Sequence, residues 1–246
     1  ISAVVVAHMY GNLCNFTKLK KICLSKGIKI VEDAAETIGS FFLNGTHSGL
    51  KSDIGIYSFN GNKIVTSGGG GAIVSKNKKF IDKARKLINQ SKINSIEYEH
   101  DEIGFNYRIS NLHASVGIMQ MKKIKKYISI KKKIYNFYKK EFKENLNFEI
   151  LKNNKVSKSN NWINILKIKN QKFSKTKIMK YLSKNNIEVR PIWYPLHQQK
   201  FCNRFEKYKI HYAVDLHNAC ICLPSSVSLK RKQLKKITNL IKSYEN

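Results

Sequence analysis

The chain has 246 residues, enough for one large domain or two modest ones. It carries 46 basic and 16 acidic residues, a net charge of +30, a sign that raises nucleic acid and anionic membranes as partners. No apolar run approaches the length of a bilayer-spanning helix, and no secretory leader is visible.

The basic excess is nearly all lysine, with arginine only at Arg85, Arg108, Arg190, Arg204 and Arg231. Lysine, asparagine and isoleucine are abundant together, as in a product of an AT-rich coding sequence. Most of the charge is therefore read as compositional. The five cysteines are odd in number and form no CxxC pair. They suit buried thiols in a reducing cytoplasm, and no metal site is expected.

Residues 1–7 read as a continuous apolar strand of a parallel sheet covered on both faces, with a loop over 8–12 at its carboxyl end. Phe16, Leu19, Ile22 and Cys23 have helical spacing over 16–25, which stops at Gly27. A strand over 28–31 follows, so strand, helix and strand predict a right-handed parallel crossover. Residues 41–49, centred on Asn44-Gly45, read as a β-hairpin.

A short apolar strand over 54–57 then runs into Ser58-Phe59-Asn60-Gly61-Asn62-Lys63. Ile64 to Ser67, four glycines and a second strand over 72–74 complete the stretch. Such glycine runs allow sharp turns or close approach to a ligand. Lys63 sits between two apolar strands, where a lysine loses its proton more easily and can act as a nucleophile. The plain alternative is a glycine-rich hairpin with a surface lysine. Upstream, the apolar strand ending at Val31 leads to Glu32-Asp33-Ala34-Ala35-Glu36. Asp33 falls at a strand's carboxyl end, where ligands bind in open α/β sheets. Its alternative is a strand-end or capping acid.

Residues 79–88 read as a helix and 91–104 as a loop. Ser110 is the expected N-cap of one long helix running into the lysine-rich stretch 122–139. That stretch is read as a solvated face, with nucleic-acid binding as the weaker alternative. The change of domain is expected inside this helix, giving 1–125 and 126–246. In the second part, strands are expected over 162–168, 187–193 and 219–223. Helices are expected over 175–184, 212–218 and 229–243, and 153–161 reads as a linker.

The pairing of Val31-Glu32-Asp33-Ala34-Ala35-Glu36 with Ser58-Phe59-Asn60-Gly61-Asn62-Lys63 resembles the DegT/DnrJ-type nucleotide-sugar aminotransferases. The resemblance continues through Gly104-Phe105-Asn106-Tyr107-Arg108-Ile109-Ser110-Asn111 and Arg190-Pro191-Ile192-Trp193-Tyr194-Pro195-Leu196-His197, and closes at Leu223-Pro224-Ser225-Ser226. It implies an α/β fold of the aspartate-aminotransferase-like PLP-transferase type I. That fold has a large domain with a mainly parallel sheet and a small C-terminal α/β domain. The implied cofactor is pyridoxal 5'-phosphate (PLP).

The resemblance makes Lys63 the catalytic lysine that holds the cofactor and moves the substrate proton. Asp33 pairs with the pyridine nitrogen, Ala35 packs on the ring, and Glu36 lies near the ring hydroxyl, where the family often has Gln. Ser58 bonds the phosphate, and Asn106 reaches the same phosphate from the other subunit of a homodimer with a shared site. The alternatives are a strand-end serine and a turn asparagine. Arg190, Trp193, His197 and His100 are candidate substrate contacts, an arginine suiting a carboxylate or phosphate. A structural role is the alternative for each.

The implied reaction moves an amino group from L-glutamate to a nucleotide-linked 4-keto-6-deoxy sugar. The Ser/Gly-rich run and the 190–197 segment lean toward UDP-4-keto-6-deoxy-N-acetylhexosamine, in surface-polysaccharide or glycan synthesis. Gly69 stands where the family usually has glutamate. A dehydratase or deoxygenase branch has histidine in place of the reactive lysine, and Lys63 argues against it. The chain opens in mid-strand and reads as N-terminally truncated, without the family's early loop and helix terminus that supply phosphate donors. A truncated inactive member, or a basic polyanion-binding protein, is the alternative function. No membrane or nucleic-acid partner is expected.

Overall fold

The computed structural model describes residues 1–94 and 96–244. In chain order the elements are β1 (Ala3–Ala7), α1 (Phe16–Ser25), β2 (Lys29–Asp33), β3 (Phe41–Phe42), β4 (Ile54–Ser58), β5 (Gly71–Val74), α2 (Lys78–Ile88), β6 (Lys92–Asn94), β7 (Glu99–His100) and α3 (Asn111–Met121). There follow α4 (Ile124–Glu141), β8 (Phe148–Ile150), β9 (Ser157–Lys158), β10 (Asn164–Ile168), α5 (Lys175–Lys184), β11 (Arg190–Pro191), α6 (His211–Ala219), β12 (Cys220–Leu223) and α7 (Arg231–Ser243).

Two compact units form: Ile1–Ser129 with Asn153–Trp162, and Ile130–Lys152 with Ile163–Asn246. A single boundary after residue 125 does not contain the return of Asn153–Trp162 to the first unit.

In the first unit the sheet order is β1-β2-β4-β5. β1 with β2 and β2 with β4 are parallel, and β5 closes antiparallel on β4. α1 is the crossover between β1 and β2. Its Phe16 and Cys23 pack with Val6, Leu13, Ile30 and Phe42 in a small core. β1 lies at the end of the sheet, which leaves one strand edge free of partners among the described strands. The mainly parallel α/β expectation therefore holds.

Several local expectations are corrected. The 41–49 stretch does turn at Asn44-Gly45, with Phe42 N–H donating to Thr46 O at 2.8 Å. Phe41 also bridges His47 antiparallel, so the expected hairpin forms, and its first strand pairs in addition with β9, from the stretch expected to be a linker. That stretch is held by side chains: Asn160, fully buried, donates from Nδ2 to the carbonyls of Glu36 and Ile38 at 3.1 and 3.0 Å. The expected loop over 91–104 contains the β6–β7 pair; Ser95, within it, lies outside the described residues.

The single helix expected from Ser110 is two helices. Ser110 does cap α3, accepting from His113 N–H. At its end, Lys123 N–H bonds Gln120 O at 3.0 Å, a three-residue closure that tightens the turn and separates α4. The strand expected over 187–193 is reduced to β11, and 3₁₀ turns occupy Leu196–Gln198 and Lys200–Cys202.

The second unit has an antiparallel sheet of order β11-β12-β10-β8. Ile134, Tyr138, Ile178, Leu182, Leu234 and Ile241 from α4, α5 and α7 pack on Leu166, Ile168 and Ile221. Burial of these side chains contributes about 2 kcal/mol each, and makes this the larger core. Most lysines of α4 point to solvent, as expected for a charged face; Lys131 is buried.

Candidate active site

Asp33, Ala35, Glu36, Ser58 and Lys63 lie at or just beyond the carboxyl ends of β2 and β4. Asp33 is the last residue of β2 and pairs in register with Ala7 and Ile56. Strand alternation sends Glu32 and Asp33 to opposite faces. Glu32 is fully buried, and Asp33 is half-buried. Asp33 Oδ1 accepts from Ala35 N–H at 3.1 Å, so the carboxylate is fixed by the turn that follows it.

Ser58 ends β4 opposite Gly71. Its hydroxyl accepts from Asn60 N–H at 3.3 Å. The segment carrying Lys63 is closed at its base by Phe59 N–H to Gly70 O at 3.0 Å and Ser67 N–H to Phe59 O at 2.9 Å. Gly68 and Gly70 have φ of +84° and +80°, which a side chain would strain. A Cβ on Gly71 would lie 2.4 Å from Tyr57 O, so the close strand pairing requires glycine there. Beyond Lys63, Ile64 and Val65 are buried and anchor the segment. A lysine on so constrained a backbone is presented, not floating.

Lys63 N–H donates to Asn60 O at 3.0 Å, and its Nζ lies 4.2 Å from the centre of the Trp162 ring. Burial pulls its proton affinity below the ordinary lysine value, while the Glu36 and Asp33 carboxylates pull it back up. The net direction is down, toward an amine that gives up its proton more readily. Glu36 Oε2 also accepts from Tyr10 N–H at 2.7 Å. It thereby holds the turn after β1, where Tyr10 has φ of +53°.

Tyr10 and Trp162 were not among the site candidates from sequence. Their rings stack at 6.3 Å with an 18° tilt, and Trp162 Nε1–H donates to Asn62 O at 2.9 Å. Tyr10 was within reach of sequence reasoning, because it lies in the loop at the carboxyl end of a parallel strand. Trp162 was not, since nothing local ties it to Lys63.

The remaining candidates are exposed on the first unit or belong to the other unit. His100 and Asn106 are exposed on the first unit; His100 Nδ1 bonds Gln90 O at 2.6 Å, and Asn106 forms a bridge with Asn89. Arg190, Trp193 and His197 belong to the second unit. Arg190 bonds Glu188, and Trp193 is half exposed. His197 lines an open cavity of about 440 Å³ with Lys207, Lys209, His211 and Asp215. Among the described residues, no group of three or more His, Cys, Asp or Glu could hold a metal ion.

The donor set of the first-unit cluster fits PLP. It offers one amine of lowered proton affinity, a carboxylate fixed at a strand end, and a small residue, Ala35, beside it. It also has a strand-end hydroxyl at Ser58.

A model of the DegT/DnrJ/EryC1/StrS aminotransferase family matches residues 1–242. The chain belongs to this family. The GDP-perosamine synthase of Vibrio cholerae is 34% identical over 247 residues, covering 99% of this chain and 66% of that protein. The UDP-4-amino-4,6-dideoxy-N-acetyl-beta-L-altrosamine transaminase of Campylobacter jejuni is 27% identical over 239 residues, covering 96% of this chain and 63% of that protein. Among solved structures, Helicobacter pylori PseC, an aminotransferase of pseudoaminic acid biosynthesis, matches with a TM-score of 0.88. It is 24% identical, covering 99% of this chain and 67% of that one; this shows the shared fold. The chain spans 63–66% of the length of these two curated relatives.

Proposed function

We propose that this chain carries the catalytic lysine and cofactor-holding face of a PLP-dependent nucleotide-sugar aminotransferase. Bound PLP supplies an electron sink for breaking the C–H bond at the amino-bearing carbon. The observation that carries the reading is Lys63 on its constrained segment, its amine 4.2 Å from the Trp162 ring and acted on by the carboxylates of Asp33, at the end of β2, and Glu36, in the turn after it. Lys63 would hold the cofactor through its amine and, once free, accept and return one proton at Nζ. That role requires a proton affinity near neutrality, and burial moves it that way. Asp33 would hold the ring nitrogen by charge. Ser58 would bond the phosphate, with Asn106 reaching it from a second copy in a homodimer. Ala35 would pack on the ring, with Glu36 near its hydroxyl.

The proposed amino donor is L-glutamate, and the acceptor is a nucleotide-linked 4-keto-6-deoxy sugar. The Ser/Gly-rich run and the 190–197 segment favour UDP-4-keto-6-deoxy-N-acetylhexosamine, with Arg190, Trp193, His197 and His100 as its proposed contacts. The GDP-linked counterpart is the second reading, favoured by the 34% identity to the Vibrio cholerae enzyme. The proposed setting is cytoplasmic synthesis of surface polysaccharide or glycan, supported by five free cysteines.

The test is cofactor trapping. The chain is incubated with PLP, reduced with borohydride and mapped by mass spectrometry. In parallel, the unreduced cofactor absorbance is followed as glutamate is added. One modified peptide, at Lys63, with absorbance that bleaches on glutamate, is the expected result. Label scattered over surface lysines would overturn the assignment of Lys63. Aminated product from the UDP or the GDP acceptor then decides between the two sugars.

A further inference from the structure

We propose that Trp162 is a positioning residue for Lys63: its indole clamps the backbone in front of that lysine and offers its face to the ammonium. The inference rests on Lys63 being the reactive lysine. It deepens that reading by naming what holds the amine while it is free.

The geometry is two-handed. Trp162 Nε1–H donates to Asn62 O at 2.9 Å, the carbonyl of the peptide that leads into Lys63. The face of the same ring lies 4.2 Å from Lys63 Nζ. An indole gives the strongest cation–π attraction among the aromatic side chains. The indole is itself immobilised. It is 1% exposed, and Tyr10 stacks on it. Its backbone N–H donates to Asn160 Oδ1 at 2.9 Å, and Asn160 is tied in turn to the Glu36 and Ile38 carbonyls. The Asn153–Trp162 return therefore delivers one rigid aromatic plate to one lysine. It also ties the Glu36 turn to that plate through Asn160.

The attraction acts only on the charged amine. Asp33 and Glu36 are charged groups that act on Lys63, and Tyr10, a titratable group, packs on Trp162. Both carboxylates favour the ammonium; the indole adds to them without adding charge. Replacing the ring with leucine keeps an apolar neighbour over Lys63 but removes the aromatic face that stabilises its proton. Lys63 should then titrate lower and be less well aimed.

Two measurements on the cofactor-free chain test this, so neither depends on PLP binding. First, the pH dependence of reductive methylation at Lys63 is read by peptide mass spectrometry. Trp162→Leu should move the labelling midpoint down by about half a unit to one unit. Trp162→Phe, which keeps an aromatic face, should recover at least half of that displacement. A Trp162→Leu midpoint equal to wild type, in a chain whose circular dichroism is unchanged, overturns the proposal.

Second, because Trp162 is buried and its variants can fail to fold, wild-type Trp162 is used as its own reporter. In a Trp193→Phe background, Trp162 is the only indole. Its emission should step with pH at the Lys63 labelling midpoint, and Lys63→Met should abolish the step. Emission that is flat through that midpoint overturns the proposal. Failure to trap PLP at Lys63 would remove the aminotransferase assignment and leave these two readouts intact.

Discussion

The Glu32 carboxylate accepts a 2.9 Å hydrogen bond from Nε2 of His8, and both side chains are wholly buried. Cys14 N–H donates to Nδ1 of the same ring at 3.2 Å, which places the ring proton on Nε2 and makes His8 a neutral donor. The carboxylate also accepts from Gly49 N–H, Lys51 N–H and the Ser52 hydroxyl, at 2.8–2.9 Å. One buried charge thus joins the turn after β1 to the segment that enters β4. It sits one residue from Asp33, on the opposite face of the strand.

Glu32→Gln tests that role. Burial alone would raise the Glu32 carboxyl, but its bonds from His8, Gly49, Lys51 and Ser52 outweigh burial and hold it below the ordinary value. An amide cannot accept four donors, so the variant should lose about 3 kcal/mol in urea unfolding at neutral pH. The pH dependence has a definite sign. A depressed carboxyl stabilises the fold above its unfolded value of 4.5 and loses that contribution as pH falls below it. Wild type should therefore weaken below that pH more steeply than Glu32→Gln.

Gly55→Ala probes the same region from the β4 side. A Cβ on Gly55 would lie 2.1 Å from Gly49 O and 2.6 Å from Gly49 Cα, both backbone atoms that cannot rotate away. Gly49 has φ of +81° and donates to Glu32, so pushing it aside also breaks that bond. The expected loss is about 3 kcal/mol or more, read as a lowered urea midpoint. A midpoint equal to wild type would show that the 47–54 turn can move without cost.

Lys131 in α4 supplies a test in the second unit. Burial lowers its amine to about 8, and its Nζ donates to Ser225 O at 2.6 Å. Below that pH the fold must hold a charged amine away from water. As pH rises through 8, the folded lysine loses its proton while the unfolded one, near 10.5, keeps it. The fold should then gain about 3 kcal/mol across this window. Lys131→Met should unfold at higher urea than wild type at pH 7, with the difference shrinking by pH 10. A constant difference would mean that the amine does not titrate in the fold.

How much of this was legible depended on how locally each feature is encoded. α1 was readable because Phe16, Leu19, Ile22 and Cys23 repeat at helical spacing up to Gly27. The strand end at Asp33 and the lysine between two apolar strands were readable for the same reason: period and punctuation lie within a few residues. The Asn153–Trp162 return was not. It is built of Asn, Ser and Lys with little apolar period, and its order comes from bonds to residues more than a hundred positions away. Asn160 reaches Glu36 and Ile38, and Asn154 N–H reaches Asn12 Oδ1 at 3.0 Å. Composition marked it as a linker; side-chain hydrogen bonding made it a wall of the site. The break between α3 and α4 was hidden likewise, because helix-forming residues run straight through it.

Asp33→Asn separates the charge at the strand end from the geometry there. Asparagine keeps the oxygen that accepts from Ala35 N–H, so the turn and the fold should persist, with a urea midpoint close to wild type. What disappears is one of the two negative charges that raise the proton affinity of Lys63. The Lys63 methylation midpoint should therefore fall, as in Trp162→Leu, but the two variants should part at the cofactor. On the proposed pairing of Asp33 with the ring nitrogen, Asp33→Asn should retain PLP at least about tenfold less well on dialysis, a charged hydrogen bond of 1.5–3 kcal/mol being lost. Trp162→Leu keeps Asp33 and should retain PLP better than Asp33→Asn does. Equal retention in wild type and Asp33→Asn would remove Asp33 from the cofactor site while leaving its effect on Lys63 in place.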